Sequence, residues 1–334
     1  MSARTLYLTG DRQVAIETES VPEPAPDEVL VETRVSAVSA GTELLLYRGE
    51  APDRIDAEEE IESLMGAVTY PTQSGYAVVG DVVEVGRHVD DAWRGRTVFS
   101  FSPHRSHVTV RPNRLVRVPD DVPPEAATLL PVAETATNLA LDGRPLVGER
   151  VTVFGAGMIG LFTTALLSSF PLEAVTVVEP VASRRQLAAF MGADETLQPD
   201  RASDLGERGD PPGQDLVFEL SGHPEAVNQA IDAVGYDGRI VVGSWYGQKT
   251  AAVDLGGFFH RNHVTISASQ VSRIAPDHRG RWTKPRRIGV AWDRLRDVET
   301  DRLVTHRMSF ADAPEAFRVL DDGPEDVLQV LLTY

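Results

Sequence analysis

The sequence predicts an α/β protein with two domains, a β-barrel and a doubly wound parallel sheet covered by helices. Residues 1–131 alternate apolar and polar positions in short runs between Gly- and Pro-containing turns, which is typical of antiparallel strands. From about residue 132, apolar runs alternate with longer helical segments, which indicates βαβ units and a parallel sheet. The 334-residue chain also exceeds the ~250 residues at which single cores usually stop growing.

The β-barrel is predicted from the N-terminal runs and their glycines. TLYLTGDRQVAIETESVP alternates around a Gly-Asp turn, and VLVETRVSAVSAGTE follows a Pro-rich loop. YAVVGDVVEVGRHVDD continues the pattern, with Gly80 and Gly86 where the backbone must bend tightly or approach a neighbour closely. EAPDRIDAEEEIESLMGAV interrupts the pattern, because its dense charge and loosely spaced apolar residues predict a short solvated helix or a loop.

The parallel sheet is predicted from strand-like and helix-like runs that alternate along the chain. VTVFG, AVTVVE, DLVFEL and GRIVVGSW are the apolar runs, and MIGLFTTALLSSF, SRRQLAAFMG and PEAVNQAIDAV lie between them as helices. An Arg-rich stretch from His260 to Arg296 ends this alternation, and the tail reads as a helix followed by a closing strand. We therefore assign residues 132–268 to the parallel-sheet domain, and residues 1–131 with 269–334 to the barrel domain.

The composition excludes several classes of function. Acidic residues outnumber basic ones by 50 to 32 and give a formal net charge of −18, which argues against nucleic acid or an anionic membrane as a partner. The chain has no cysteine, so disulfides, thiolate metal ligands and a cysteine nucleophile are excluded. No apolar stretch approaches the ~18 residues of a membrane span, so we expect a cytoplasmic protein. An acidic excess with Lys249 and Lys284 as the only lysines favours a salt-rich, halophilic cytoplasm.

A glycine-rich motif for binding a dinucleotide follows the first strand of the parallel sheet. Gly155, Gly157 and Gly160 form G-x-G-x-x-G between VTVF and the helical run that begins at Met158 and Ile159. The first glycine permits a tight turn, the second lets the backbone approach a pyrophosphate, and the third allows close helix–strand packing. Free N–H groups at the helix N-terminus then face the phosphates. This context predicts a Rossmann domain.

An acidic residue at the end of the next strand predicts a preference for NAD(H) over NADP(H). Glu179 closes AVTVVE at the spacing where a carboxylate accepts hydrogen bonds from the adenosine ribose hydroxyls and repels the 2′-phosphate of NADP. Arg184, a few residues further on, can offset part of that repulsion, so NADP(H) use stays open. The residues at two later strand ends are predicted to line the nicotinamide side: Ser221, Gly222, Gly243 and Ser244.

The sequence resembles the medium-chain dehydrogenase/reductase superfamily, whose members include zinc-type alcohol dehydrogenases, over nearly the whole chain. The landmarks are AGTE at residues 40–43, GYAVVGDVVEVG at residues 75–86, FGAGMIG, the strand end FELSG, and GRIVVGSWYG. The resemblance implies a GroES-like β-barrel catalytic domain, a Rossmann cofactor domain, NAD(P)-dependent chemistry on a small-molecule substrate and a homodimer, with HVTISAS as a candidate pairing strand. The sequence looks like the branch near bacteriochlorophyllide dehydrogenase, and its composition points to a haloarchaeal source.

The positions that hold catalytic zinc in zinc members of that superfamily carry other residues in this chain. Ala40 stands where Cys is usual, and Tyr76 and Ala77 stand where His and Glu are usual. The third ligand position falls near Val132, and a small shift of alignment brings in Glu134. One carboxylate does not complete a shell of three protein ligands, so we predict that the chain has no catalytic zinc and no metal ligands.

Two clusters of basic side chains are interpreted as structural. His104 and His107 have H-x-x-H spacing, but without nearby carboxylates in the sequence they are interpreted as plain loop residues rather than metal ligands. The stretch SRIAPDHRGRWTKPRRIGVAW concentrates arginines in an acidic chain. Ion pairing with surrounding carboxylates is favoured there over a clamp for an anionic substrate.

Without a metal, a side chain must polarise the substrate oxygen or exchange its proton. Thr42 matches the hydroxyl with which similar dehydrogenases begin a proton relay. Tyr76 brings a phenol to the vacant metal position and is a candidate acid, although it can also simply fill the space. Glu43 and Glu134 are candidate orienting groups, or Glu134 is the base with a pKa raised by burial. For Glu43, a structural salt bridge is the favoured interpretation.

The sequence therefore predicts a zinc-independent, NAD(H)-dependent oxidoreductase acting on an alcohol/carbonyl pair of a small molecule. Reduction of a carbon–carbon double bond, as in quinone and enone reductases, stays open because the hydride then lands on carbon and no strong acid is needed. A sensor that binds dinucleotide without turnover also stays open, because every type of zinc ligand is absent from the expected positions.

Overall fold

The computed structural model describes residues 2–55, 66–323 and 325–334, and it divides into two compact units. The first unit comprises Met1–Pro131 and Glu299–Tyr334, and the second comprises Val132–Val298. The chain therefore returns to the first unit at residue 299, whereas the sequence placed the return at residue 269. Within residues 269–298, Arg287 is fully buried and forms an ion pair with Glu134, which also lies in the second unit.

The N-terminal part of the first unit consists of short strands, as the alternating pattern predicts. The strands are β1 (Ser2–Gly10), β2 (Gln13–Ser20), β3 (Val29–Val38), β4 (Arg54–Ile55), β5 (Gly66–Ala67), β6 (Thr72–Gln73), β7 (Val78–Val85), β8 (Thr97–Ser100), β9 (His107–Val110) and β10 (Leu115–Arg117). The helices are α1 (Glu43–Tyr47) and α2 (Pro124–Ala127). Residues 56–65, the centre of the segment for which a solvated helix or loop is predicted, lie outside the described residues.

The second unit contains a parallel sheet with strand order β13-β12-β11-β14-β15-β16. Its strands are β11 (Arg150–Phe154), β12 (Ala174–Val178), β13 (Glu195–Leu197), β14 (Gln214–Glu219), β15 (Val234–Val242) and β16 (Thr265–Ala268). Its helices are α3 (Leu130–Gly143), α4 (Met158–Leu167), α5 (Ala182–Phe190), α6 (Ala226–Ala233), α7 (Phe258–Arg261) and α8 (Lys284–Arg296). The order reverses between β11 and β14, and ligands of open α/β sheets bind beyond the strand ends at such a point.

The chain then closes the first unit with β17 (Val304–Ser309), α9 (Ala313–Asp322) and β18 (Gln329–Thr333). The main sheet of this unit runs β10-β8-β7-β3-β18-β17, with β9 also paired to β3, and a second sheet runs β2-β1-β6. Fully buried Leu6, Leu8, Phe310 and Phe317 form part of one core cluster. These findings confirm the predicted α/β fold with a β-rich unit and a Rossmann-type parallel sheet. Within the described residues, no helix combines the length and apolar character needed to cross a membrane.

Candidate functional site

The glycine-rich loop between β11 and α4 has the geometry that dinucleotide binding requires. Gly155 has φ +96°, and a Cβ on it would lie 2.7 Å from the carbonyl oxygen of Leu220. A Cβ on Gly160 would lie 2.0 Å from the carbonyl oxygen of Gly155, so the helix packs directly on the turn. A Cβ on Gly157 would have no protein atom within 4 Å. Of the three glycines of the motif, Gly157 is therefore the one with open space beside it, and this is the glycine that a pyrophosphate would approach.

The helix that follows this loop begins without a side-chain cap. Gly157 is the N-cap of α4, and half-buried Met158 and Ile159 are its first two residues. The first N–H groups of a helix have no partner inside the helix, and they carry the positive end of its dipole. This helix end therefore fits the phosphates of a dinucleotide.

The carboxylate of Glu179 is held against the glycine-rich loop. Glu179 directly follows β12, is 4% exposed, and accepts hydrogen bonds from the backbone N–H of Ala156 (2.7 Å) and of Val181 (2.9 Å). Each carboxylate oxygen accepts more than one hydrogen bond, so these contacts leave capacity for ribose hydroxyls. Arg184 lies in the first turn of α5, and the neighbouring Arg185 donates to the carbonyl oxygen of Glu179 (2.7 Å). The role of Glu179 in cofactor preference stays a prediction.

Three of the four residues predicted from the later strand ends, Ser221, Gly243 and Ser244, donate hydrogen bonds to Glu219, a buried acidic residue that sequence reasoning missed. Glu219, the last residue of β14, is fully buried and accepts hydrogen bonds from the backbone N–H of Ser221 (2.9 Å) and from the hydroxyls of Ser221 and Tyr246. Ser244, which follows Gly243 beyond the end of β15, accepts from the backbone N–H of Gly222 (2.9 Å). An acidic residue near the end of the apolar run DLVFEL was the available signal.

Burial of Tyr246 raises the pKa of its phenol, and the hydrogen bond to Glu219 adds to that shift. The phenol therefore stays protonated and donates to the carboxylate. This contact ties the loop after β15 to the end of β14. A hydrogen bond within the second unit thus connects the two loops that carry the predicted nicotinamide-lining residues.

In the first unit, the structure brings Tyr76 together with a serine that the sequence did not single out. The Tyr76 hydroxyl donates to Ser39 Oγ at 2.7 Å, and both side chains are half-buried. Thr42, also half-buried, is the N-cap of α1, but its hydroxyl makes no capping hydrogen bond. Thr42 therefore ends the loop that begins at Ser39, the residue that Tyr76 contacts.

The residues at the positions usual for zinc do not fit that metal. Ala40 and Ala77 present methyl groups, and Tyr76 presents a phenol that already donates to Ser39. Within residues 2–55, 66–323 and 325–334, no group of three His, Cys, Asp or Glu side chains is arranged to hold a metal ion. A catalytic zinc normally takes three protein ligands of these types.

The interpretation of His104 as a plain loop residue is wrong. Its side chain is fully buried, with Nε2 3.0 Å from Glu43 Oε2 and Nδ1 2.7 Å from Ser36 Oγ. Glu43 is also fully buried and accepts from the hydroxyl of Ser74 (2.6 Å) and the backbone N–H of Ser39 (2.9 Å). A structural salt bridge was the favoured interpretation of Glu43, and the structure shows that its partner is the imidazole of His104. Sequence reasoning missed it because the carboxylate lies 61 positions away from the histidine.

Glu134 lies in the second unit, whereas Thr42, Glu43 and Tyr76 lie in the first. Its Oε1 accepts two hydrogen bonds from the buried guanidinium of Arg287, at 3.0 and 2.8 Å. Burial raises the pKa of Glu134, as predicted, and the charge of Arg287 offsets part of that rise. Because its acceptor oxygen is committed to Arg287, the structure supports an ion-pairing role for Glu134 better than that of a free base.

The chain is similar to known dehydrogenases. Residues 158–283 match the family described as zinc-binding dehydrogenase. The D-guloside 3-dehydrogenase of Escherichia coli (strain K12) is 26% identical over 350 residues, which cover 99% of this chain and 100% of that protein. A protein of Sinorhizobium meliloti 1021 described as a zinc-binding dehydrogenase, solved bound to NADP, matches over 100% of both chains with a TM-score of 0.79 and 21% identity. A short chain alcohol dehydrogenase from Escherichia coli CFT073 complexed with cofactor NADH has a TM-score of 0.79 and 18% identity, over 100% of this chain and 99% of that chain.

Proposed function

We propose that this chain is an oxidoreductase of the medium-chain dehydrogenase type that interconverts an alcohol and a carbonyl compound with NAD(H) and without zinc. Its similarity to zinc-binding dehydrogenases supports the first part of this proposal. The observation that carries the proposal is the phenol of Tyr76. It stands at a position usual for a zinc ligand and is held by Ser39 at 2.7 Å. A proton donor thus occupies a place where zinc members hold a Lewis acid.

The second unit supplies the residues that would hold the cofactor. The N–H groups at Gly157 and Met158 would bind the pyrophosphate, and Glu179 would accept from the adenosine ribose. When bound, the nicotinamide supplies or accepts the hydride. The carboxylate of Glu179 favours NAD(H), although the similar protein bound to NADP makes a comparison of the two cofactors necessary.

The first unit supplies the proton. A phenol is a proton donor, so Tyr76 can give its proton to a carbonyl oxygen as that oxygen becomes a hydroxyl. Ser39 holds the phenol oxygen and can return a hydrogen bond when Tyr76 has lost its proton. Thr42 would donate a second hydrogen bond to the substrate oxygen. In the oxidation direction the proton of the substrate hydroxyl moves to Tyr76, which must first have lost its own proton.

The substrate class follows from this chemistry and from the similar proteins. The D-guloside 3-dehydrogenase takes its name from a sugar derivative and a carbon that bears a secondary hydroxyl. We therefore propose an alcohol or polyol with a secondary hydroxyl, and the ketone that corresponds to it, as the substrate pair. A weak acid such as Tyr76 is sufficient for a ketone, because hydride addition and proton transfer together produce a neutral alcohol.

The test is a titration of chelator-treated protein in molar KCl with NADH and with NADPH, followed by pooled ketones, aldehydes and enones. We expect tighter binding of NADH, oxidation of NADH by a ketone, and no gain in rate when zinc is added back. Tyr76→Phe should lower kcat by about 10²- to 10⁴-fold, the range for loss of a general acid. Tyr236→Phe is the matched control, because that tyrosine is 66% exposed in the second unit.

Each other outcome identifies a different function or removes the proposal. Full activity of Tyr76→Phe would remove the proposed acid, and activity that requires added zinc would remove metal independence. Consumption of enones with NADPH would indicate a carbon–carbon double-bond reductase. Tight NADH binding without consumption of any pooled substrate would indicate a sensor.

A further inference from the structure

A buried row of hydrogen bonds crosses the interior of the first unit and ends at Glu43. Tyr334 Oη lies 3.0 Å from Ser36 Oγ, Ser36 Oγ lies 2.7 Å from His104 Nδ1, and His104 Nε2 lies 3.0 Å from Glu43 Oε2. Ser36, Glu43 and His104 are each fully buried. A buried carboxylate and imidazole are costly unless every polar atom is paired, and an apolar pair of similar volume is often at least as stable. The stability of the unit therefore does not explain why polar residues stand here.

The backbone places the imidazole of His104 accurately. The His104 N–H donates to the carbonyl oxygen of Ser74 (2.8 Å), and the His104 carbonyl oxygen accepts from the N–H of Leu6 (3.0 Å). Gly75 has φ +105°, and a Cβ on it would lie 2.6 Å from His104 Cδ2. The chain thus has a glycine where any side chain would displace the imidazole.

The hydroxyls in this row fit an imidazole that accepts at Nδ1 and donates from Nε2. Burial raises the pKa of the Tyr334 phenol, which therefore stays protonated and donates to Ser36 Oγ. Ser36 then directs its own proton to His104 Nδ1, and His104 carries its proton on Nε2, from which it donates to Glu43. In this neutral tautomer each hydroxyl and the imidazole donate one hydrogen bond along the row. A proton on Nδ1 would instead make the imidazole donate to Ser36 Oγ and leave the Ser36 hydroxyl proton without an acceptor in the row.

Glu43 connects this row to the proposed acid. Its Oε2 accepts from His104 Nε2 and from the Ser74 hydroxyl, and its Oε1 accepts from the backbone N–H of Ser39 at 2.9 Å. The Ser39 hydroxyl in turn accepts from Tyr76. The orientation of the carboxylate sets the position of the Ser39 backbone, and the Ser39 side chain sets the position of the phenol.

We propose that His104 is a positioning residue for Tyr76, acting through Glu43 and Ser39. This inference rests on the proposed function, in which Tyr76 is the acid. His104 does not itself touch the reacting atoms. Its Nε2–H fixes the rotamer of the Glu43 carboxylate, which otherwise can turn toward Ser74 and release the backbone of Ser39.

Two replacements of His104 distinguish the roles of its two ring nitrogens. His104→Gln places an amide N–H near the former Nε2 and keeps a donor for Glu43, whereas His104→Asn places its amide near the former Nδ1 and keeps only the contact with Ser36. We expect Asn to lower kcat by about ten- to a hundredfold, the range for a displaced catalytic group, and Gln to restore most of the rate. His107→Asn is the matched control, because that histidine contacts Ser106 at 3.0 Å and not Glu43.

A second readout does not depend on turnover. In protein labelled with ¹³C at the tyrosine ring carbon that bears oxygen, the Tyr76 resonance is assigned with Tyr76→Phe and compared between the variants. We expect Asn at position 104 to move this resonance and Gln to leave it near its original place. The affinity for NADH should be the same in wild-type, Gln and Asn proteins, since its proposed site lies in the second unit.

The outcomes keep the two proposals distinct. An unmoved Tyr76 resonance in a folded His104→Asn variant would overturn the positioning role, and so would equal losses of rate in the Asn and Gln variants. A wild-type protein that reduces no carbonyl compound would remove the proposed function, while the resonance would still report whether His104 positions the phenol. If His104→Asn does not fold, Glu43→Gln tests the next contact of the row, because it keeps the volume and alters the hydrogen bonds, and an unmoved Tyr76 resonance in that variant would likewise overturn the positioning role.

Discussion

Replacement of Arg287 by Met should destabilise the second unit strongly and in a way that depends on pH. Arg287 is fully buried, and its guanidinium donates to Glu134, to Asn138 Oδ1 (2.6 Å) and to the carbonyl oxygen of Val271. Removal of one partner of a buried pair leaves an uncompensated charge and costs about 3–5 kcal/mol. We expect a loss of that size in the free energy of unfolding at pH 8, measured by urea titration in constant molar KCl.

The sign of the pH dependence follows from Glu134. Burial already raises the pKa of its carboxyl in the folded chain, and loss of Arg287 removes the group that offsets this rise. When the pKa of a carboxyl is higher in the folded chain than in the unfolded chain, the free energy of unfolding is greatest at low pH. It falls as pH rises from the unfolded pKa through the folded pKa. The destabilisation of Arg287→Met should therefore be smaller at pH 5 than at pH 8.

The matched control removes both partners of the ion pair. Arg287→Met combined with Glu134→Met removes both charges of this buried pair, so we expect it to recover most of the lost stability and to abolish the pH dependence of that loss. A single Arg287→Met variant as stable as wild type at pH 8 would refute the reasoning. A double variant no more stable than the single one would show that Glu134 is not the group left uncompensated.

Four further predictions concern the second unit. Gly155→Ala should unfold at a lower urea concentration than wild type, because position 155 has a positive φ and a Cβ there would meet backbone atoms. Gly157→Ala should unfold like wild type, but fluorescence titration should show that it binds NADH about tenfold more weakly. Glu179→Gln should narrow the difference between NADH and NADPH affinities, and an unchanged ratio would contradict its role in selection. Tyr246→Phe should cost about 1–3 kcal/mol in urea unfolding, because buried Glu219 loses a donor.

Features that depend on residues close together in the chain were predictable from the sequence. The G-x-G-x-x-G loop lies between one strand and one helix, and Glu179 closes the next strand, so spacing alone placed both. Alternating apolar runs similarly predicted the parallel sheet, because burial on both faces requires continuous apolar strands. Composition excluded thiolate chemistry, since the chain has no cysteine.

Contacts between residues far apart in the chain were decided only by tertiary structure. His104 follows a strand with no carboxylate nearby in sequence, and its contact with Glu43 arises because the two segments pack against each other in the folded unit. Arg287 and Glu134 are 153 positions apart, and both lie in the second unit, where they form an ion pair. A buried charge requires a partner within hydrogen-bonding distance, and the fold determines which residue that is. The spacing of residues along the chain therefore does not predict the partner.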